Sequence, residues 1–187
     1  MIAEIFYVTG RGGSISEGLG VFLKERANTV SGIGLSKEFL SSAFDDQLAA
    51  IRSHFERIEL EEIPVIANSY GCYLLLNSLI NAPKLRTKVL LLSPVVGTLV
   101  SKDCYFKPAY AQRIPTALRN RMLPRPDHLA MYVGRLDNQC DLLALEQIAE
   151  QLGADRFAVI DGQAHMIDIQ IVQAVIDEFL AAGTMRL

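Results

Sequence analysis

The stretch VIANSYGCYLL, residues 65–75, contains the feature that decides the fold. An apolar, β-branched run ends at Asn68, a serine follows, and a helix-like run begins after Gly71. Ser and Gly are ordinary turn residues, so a simple turn is one interpretation. A sharp strand-to-helix bend with small residues at Ala67 and Gly71, two positions either side of Ser69, is also the place where a nucleophilic serine is held.

Short β-rich runs alternate with helical patterns along the whole chain. The runs that predict strands are IAEIFYVTG, NTVSGIG, IPVIAN, KVLLLSP, LAMYVG and RFAVID. This alternation predicts one α/β domain over residues 1–187, with a mostly parallel sheet of about six strands and helices on both faces. The S-x-x-E pair of Ser14 and Glu17 predicts that the first helix opens at Ser14. In such sheets the chemistry collects in loops beyond the carboxyl ends of the strands.

Composition excludes several classes of function. A net charge of −3 gives no general reason to expect nucleic-acid binding. No apolar run approaches the ~18 residues of a membrane span, and the N-terminal MIAEIFYVTG lacks the basic start of a signal peptide. Three cysteines without a C-x-x-C pair disfavour a disulfide framework or a zinc site and favour a reducing cytoplasm. We therefore expect a cytoplasmic protein with no metal and no organic cofactor.

A nucleophilic serine needs a base, because its hydroxyl is inert at neutral pH until a neighbouring group takes the proton. The chain has three histidines. His54 falls inside a helical pattern, and His128 begins the fifth strand, at the wrong end of the sheet. His165 follows the last strand in IDGQAHMID, on a loop where a base is expected.

A carboxylate must then orient the imidazole. The loop after the fifth strand, VGRLDNQCD, offers Asp137 and Asp141. Asp141 stands directly before LLALEQIAEQL, where a helix N-cap is expected, and capping explains it adequately. We favour Asp137 as the acid.

The oxyanion of a tetrahedral intermediate needs two N–H donors. One is expected from Tyr70, the residue after the serine. The other is expected from the glycine-rich loop VTGRGGS after the first strand, where we favour the N–H of Arg11, with Gly12 as the alternative.

Taken together, these pieces resemble the α/β-hydrolase family over nearly the whole chain. ANSYG is similar to the family's small-x-Ser-x-small elbow, TGRGGS resembles the H-G-x-G-G-S oxyanion loop of small lipases with Thr9 in place of His, and GRLD and GQAH resemble the acid and base loops. The two leading antiparallel strands of the family are missing. The resemblance implies a minimal single-domain serine hydrolase that cleaves a small-molecule carboxylic ester or thioester through a Ser-His-Asp triad and an acyl-enzyme.

Two rival interpretations come from other classes of protein. A nucleotide-binding enzyme of the short-chain dehydrogenase type needs T-G-x-x-x-G-x-G after the first strand, but the two later glycine positions are Ser14 and Ser16, and no Tyr-x-x-x-Lys pair exists in the chain. A non-catalytic α/β-hydrolase-like protein that binds a ligand or partner is the second rival, because a fold alone does not establish chemistry.

Residues 98–128, between the fourth and fifth predicted strands, exceed a usual crossover. They contain six basic residues against two acidic ones, and four of the seven prolines. One interpretation is a solvated crossover helix. The other is a small cap over Ser69 that selects an anionic substrate. Arginines such as Arg119 and Arg121 would then bind the carboxylate or phosphate group of that substrate.

Overall fold

The computed structural model describes residues 2–83, 85–97 and 110–182. Six strands form one sheet in the order β2-β1-β3-β4-β5-β6, and every neighbouring pair is parallel. The strands are β1 (Ile2–Arg11), β2 (Ala27–Leu35), β3 (Val65–Asn68), β4 (Lys88–Leu92), β5 (His128–Gly134) and β6 (Arg156–Ile160). The predicted α/β architecture is therefore confirmed, and all six described strands run in one direction.

Eight helices are described, and they cover both faces of the sheet. They are α1 (Leu19–Lys24), α2 (Lys37–Ser41), α3 (Phe44–Arg52), α4 (Phe55–Leu60), α5 (Tyr70–Leu79), α6 (Arg113–Arg119), α7 (Leu142–Leu152) and α8 (Ile169–Ala181). Alternate residues of β1 point to opposite faces, as the two-residue period of a strand requires. Phe6 and Val8 lie in the core beneath α3 to α7, whereas Ile5 and Tyr7 lie in the core beneath α1 and α8.

The prediction that the first helix opens at Ser14 is wrong, because α1 begins at Leu19. Gly18, inside the predicted helix, has a positive φ of 51°, and a right-handed helix does not accommodate it. The Ser14 hydroxyl instead accepts the backbone N–H of Ser16 at 3.1 Å. Serine side chains that bond locally in this way compete with helix formation.

The described part of the segment between β4 and β5, residues 110–128, contains the helix α6. Ile114 and Ala117 of α6 are buried in the core that also contains α5. Arg119 and Arg121 line a cavity with residues at the end of α7, next to the start of β6. These arginines thus lie at the amino edge of the sheet, opposite the edge that carries Ser69. Whether residues 98–128 form a cap over Ser69 or a crossover stays a prediction, since residues 98–109 are outside the described ranges.

Helix α5 lies at the centre of the fold, because all ten of its residues are buried. Leu75 on this helix is 0% exposed, whereas Leu60, at the end of α4, is 82% exposed. Leu75→Ala should lower the free energy of unfolding by about 2–5 kcal/mol, because it removes buried methyl groups and leaves a cavity. The matched change Leu60→Ala should alter it by about 0.5 kcal/mol or less. Urea unfolding measures both, and equal losses would contradict the central position of α5.

Candidate active site

Ser69 stands at a strained bend between β3 and α5. Its backbone has a φ of 53° and a ψ of −119°, a sparsely populated combination for a residue with a side chain. The bend is anchored to the end of β4, because the Ser69 N–H donates to Leu92 O at 2.8 Å and the Ser69 carbonyl accepts the Val95 N–H at 3.3 Å. The surrounding backbone therefore holds the serine in this conformation.

The small residue at position 71 is explained by the packing of the bend against β1. A Cβ atom on Gly71 would lie 2.3 Å from Thr9 O and 2.5 Å from Val8 O, both backbone atoms. Only glycine lets the first turn of α5 approach the strand this closely. The small-x-Ser-x-small pattern of the sequence thus has a direct steric cause.

A continuous chain of hydrogen bonds leads from Ser69 through His165 to Asp137. Ser69 Oγ lies 2.8 Å from His165 Nε2, and His165 Nδ1 lies 2.8 Å from Asp137 Oδ2. With Nδ1 protonated, the imidazole donates to the carboxylate and its Nε2 accepts the serine proton, which is the tautomer that a base requires. The three side chains come from the loops after β3, β6 and β5, as their positions in the sequence predict.

The acid and base loops touch each other through their backbones. A Cβ atom on Gly134 would lie 2.4 Å from both Gln163 O and Ala164 O, so glycine is needed where β5 ends. The N–H of Leu136 also donates to Gln163 O at 2.8 Å. This contact brings Asp137 within reach of His165.

The other candidate acid and the other histidines lie elsewhere. Asp141 Oδ1 accepts the N–H groups of Leu143 and Ala144, so this side chain caps α7 as its position in the sequence indicates. His54 precedes α4 and its ring packs on Phe6, with 4.9 Å between centroids. His128 is the first residue of β5, at the amino edge of the sheet.

The Asp137 carboxylate is buried and ionised. Burial raises the pKa of this carboxyl, but hydrogen bonds from His165 and from the backbone N–H of Gln139 favour the charged form more strongly, so the pKa lies below its usual value. The side chain is 0% exposed, and that of its partner His165 is 14% exposed. A charge held this deeply needs several donors, and the loop supplies them.

Two contacts in this region leave no motif in the sequence. Ser93, directly after β4, has a φ of 44°, and its hydroxyl donates to the backbone carbonyl of His165 at 2.8 Å. The Cys140 thiol lies 3.1 Å from Asp137 Oδ2 and 3.1 Å from Pro94 O. The only local signals are a serine-proline pair at a strand end and a thiol three residues beyond Asp137. Neither signal predicts these partners.

The predicted oxyanion donors lie at the same site. Arg11 and Tyr70 line one cavity together with Ser69 and His165. Tyr70 is the first residue of α5 and follows Ser69 directly. The alternative, Gly12, donates its N–H to Leu35 O at 2.8 Å, which engages it in the sheet. Thr9, which replaces the family's histidine, accepts the Leu35 N–H with its hydroxyl at 2.9 Å.

The cavity beside Ser69 has a volume of about 450 Å³ and mainly apolar walls. Its apolar lining residues are Leu19, Leu92, Val95, Met166, Ile167, Ile169 and Val172. Arg11 contributes the one arginine or lysine among the described residues of this lining, and no residue of 110–128 is among them. The described walls are therefore mainly apolar and carry one basic side chain.

Asp137, Cys140 and His165 are also residue types that bind metal ions. Their ligand atoms lie within 4.8 Å of one another. Hydrogen bonds account for the same atoms, since His165 Nδ1 and Cys140 Sγ both approach Asp137 Oδ2. The geometry of this cluster is therefore explained by the hydrogen-bonded chain itself, and we assign no metal to it.

A six-stranded parallel sheet with a strained serine elbow after β3 defines the α/β-hydrolase fold. Solved structures agree with this assignment over almost the entire chain. The monoacylglycerol lipase of Paleococcus ferrophilus superposes with a TM-score of 0.68 at 12% identity, covering 96% of this chain and 94% of that one. At this identity the similarity establishes the fold, which confirms the resemblance found in the sequence.

Two further structures show the same similarity. The ydeN gene product of B. subtilis has a TM-score of 0.64 at 16% identity, with 96% of this chain and 99% of that one covered. Thermogutta terrifontis esterase 2 phosphonylated by sarin has a TM-score of 0.64 at 16% identity, with 100% and 86% covered. No protein-family model matches the sequence, and no curated protein sequence matches it. None of the helices in the described ranges is long and apolar enough to cross a membrane.

The ionised state of Asp137 makes stability depend on pH. Because the pKa of this carboxyl is lower in the folded chain than in the unfolded chain, its contribution is fully present above the unfolded pKa, near pH 4, and is lost as pH falls below it. Asp137→Asn should therefore lower the free energy of unfolding by about 1.5–3 kcal/mol at pH 5, and by less at pH 3.

Urea unfolding at the two pH values measures this change. Asp141→Asn is the matched control, because asparagine caps a helix about as well as aspartate, so it should have little effect at either pH. A loss for Asp137→Asn that is the same at pH 5 and pH 3 would contradict the ionised state of the buried carboxyl.

Proposed function

We propose that this protein is a serine hydrolase that cleaves a carboxylic ester or thioester. The observation that carries the proposal is the chain of two 2.8 Å hydrogen bonds from Ser69 Oγ through His165 to a buried, ionised Asp137. Nucleophile, base and orienting acid in hydrogen-bond contact are the arrangement that activates a serine.

The proposed reaction begins when Ser69 Oγ attacks the substrate carbonyl carbon and His165 Nε2 takes the hydroxyl proton. Asp137 holds the imidazole and stabilises the imidazolium that forms. His165 then gives this proton to the leaving alcohol or thiol as the tetrahedral intermediate collapses to an acyl-enzyme. A water molecule, activated by the same base, releases the acid and restores Ser69.

The oxyanion is proposed to accept hydrogen bonds from the N–H groups of Tyr70 and Arg11. Both residues line the cavity beside Ser69, and the Gly12 N–H is engaged with Leu35. Donors fixed in this way before reaction stabilise the developing charge without reorganisation.

The cavity favours an uncharged, apolar group on the substrate. Its walls come from α1, α8 and the segments after β4 and β6, whereas Arg119 and Arg121 lie at the opposite edge of the sheet. The esterase and lipase among the similar structures support an ester substrate. Cys72 and Cys140 are both buried and form no disulfide, which supports a reducing cytoplasm as the compartment.

A fluorophosphonate probe tests the nucleophile without knowledge of the natural substrate. The wild-type protein should be labelled at Ser69, and Ser69→Ala should abolish labelling and nearly all hydrolysis of p-nitrophenyl butyrate, because the residual rate comes from binding and oxyanion donors alone. Ser14→Ala removes a partly exposed serine from the neighbouring loop and should label like the wild type. An unlabelled, inactive wild-type protein would instead favour a non-catalytic ligand- or partner-binding role.

The apolar wall is tested by placing a charge on it. Ile169 lines the cavity as the first residue of α8 and is 52% exposed. Ile169→Asp should lower kcat/KM for p-nitrophenyl butyrate about tenfold, because lost apolar contact of this size is worth about 10–200-fold in specificity.

Leu143→Asp is the matched control for this change. Leu143 is 71% exposed in the first turn of α7 and does not line the cavity, so kcat/KM should be unchanged. The apolar substrate would be refuted if the wild type preferred an anionic acyl ester to the neutral butyrate. Loss of that preference in Arg119→Ala would favour a basic cap.

A further inference from the structure

The Cys140 thiol lies between two possible hydrogen-bond acceptors. Its Sγ lies 3.1 Å from Asp137 Oδ2 and 3.1 Å from Pro94 O, and the residue is fully buried. A protonated thiol has one hydrogen, so it donates to one of these acceptors at a time. The carboxylate is charged and the carbonyl is neutral, and a charged acceptor makes the stronger bond.

The other donors to the carboxylate are fixed. Asp137 Oδ1 accepts the N–H of Gln139 at 2.8 Å, and Oδ2 accepts the imidazole Nδ1–H of His165. A buried carboxylate has about four acceptor positions, so Oδ2 has room for a second donor. Cys140 is the side chain that occupies this position.

We propose that Cys140 is a positioning residue that donates its S–H to Asp137 Oδ2 and keeps this carboxylate ionised and aimed at His165. The inference rests on the proposed role of Asp137 as the acid of the hydrolase. The proton stays on sulfur, and no covalent bond forms or breaks. The thiol acts on the reaction only through Asp137 and His165.

The same thiol connects the acid loop to the turn after β4. Pro94 follows Ser93, whose hydroxyl donates to His165 O at 2.8 Å. With its hydrogen directed at Asp137, the Cys140 sulfur stays beside Pro94 O at 3.1 Å, while the base loop is hydrogen-bonded to Ser93. Both loops therefore contact the same turn, residues 93–94.

The charged groups on the neighbouring elements contact partners other than the Asp137 carboxylate or lie elsewhere at the site. Asp141 and Asp168 accept N–H groups at the starts of α7 and α8. Arg135 pairs with Asp161 at the surface. Arg11 lies on the cavity wall. Within the described ranges, Cys140 is thus the side chain that distinguishes the surroundings of Asp137 from a simple Asp–His pair.

Removing the thiol should raise the proton affinity of the Asp137–His165 pair. Without the S–H donor, Asp137 Oδ2 carries more negative charge. The Asp137–His165 pair then keeps the proton between these two side chains up to a higher pH. Because the two groups are coupled, the titration belongs to the pair. A net hydrogen-bond contribution of ordinary size corresponds to a shift of about 0.5–1 pH unit.

The test measures this titration in two ways, by the imidazole NMR signal of His165 and by the acid limb of kcat/KM for p-nitrophenyl butyrate. Cys140→Ala and Cys140→Val should each move both midpoints upward by about 0.5–1 unit. Cys140→Ser retains a donor and should return the midpoints to the wild-type value or below. Cys72→Ala is the control, because this buried thiol donates to Leu92 O instead, and it should leave the midpoints in place.

The outcomes separate this inference from the proposed function. An upward NMR shift in Cys140→Ala or Cys140→Val, absent in Cys140→Ser, supports the positioning role even if the wild type proves inactive. Valine fills more of the space left by the thiol than alanine does. Cys140→Val is therefore the variant to measure if the cavity in Cys140→Ala destabilises the fold. An unchanged midpoint in a folded Cys140→Ala or Cys140→Val protein, with wild-type labelling by the fluorophosphonate probe intact, would overturn the inference while leaving the hydrolase in place.

Discussion

The left-handed backbone at Ser69 is the constraint on which the site depends. A serine with a φ of 53° is less stable than one in an extended or helical conformation, and such a residue persists only where its surroundings leave no alternative. Here the N–H is bonded to Leu92 and the following turn is pressed against β1 at Gly71. The strain is supported by three adjacent strands, and in return the hydroxyl projects toward His165 from the edge of the sheet.

The order of burial explains how a charge is kept in this site. Asp137 is fully enclosed, His165 is partly exposed, and Ser69 opens onto the cavity. Polar groups therefore become more accessible toward the substrate, while the negative charge remains where water does not screen it. Electrostatic interactions are stronger in such surroundings, so a single carboxylate is enough to hold the imidazole tautomer.

Much of the fold and of the candidate site follows from the sequence, because parallel strands end at one edge and bring their loops together. Ser69, Asp137 and His165 belong to three such loops, and helix capping separates Asp137 from Asp141. Local patterns fail where geometry intervenes. The helix expected from Ser14 is interrupted by the positive φ of Gly18. Cys140 meets Pro94 across 46 residues of chain, a separation over which no periodicity carries information.

The close approach at Gly134 limits which substitutions the contact between the loops after β5 and β6 can accept. Since any side chain at this position would collide with the backbone of Gln163 and Ala164, the loops after β5 and β6 are closely packed and should tolerate little change where they meet. Leu19 of α1 and Ile169 of α8, by contrast, line the cavity with side chains that are at least partly exposed. Substitutions at Leu19 and Ile169 should therefore reshape the cavity wall while the hydrogen bonds from Ser69 through His165 to Asp137 stay in place.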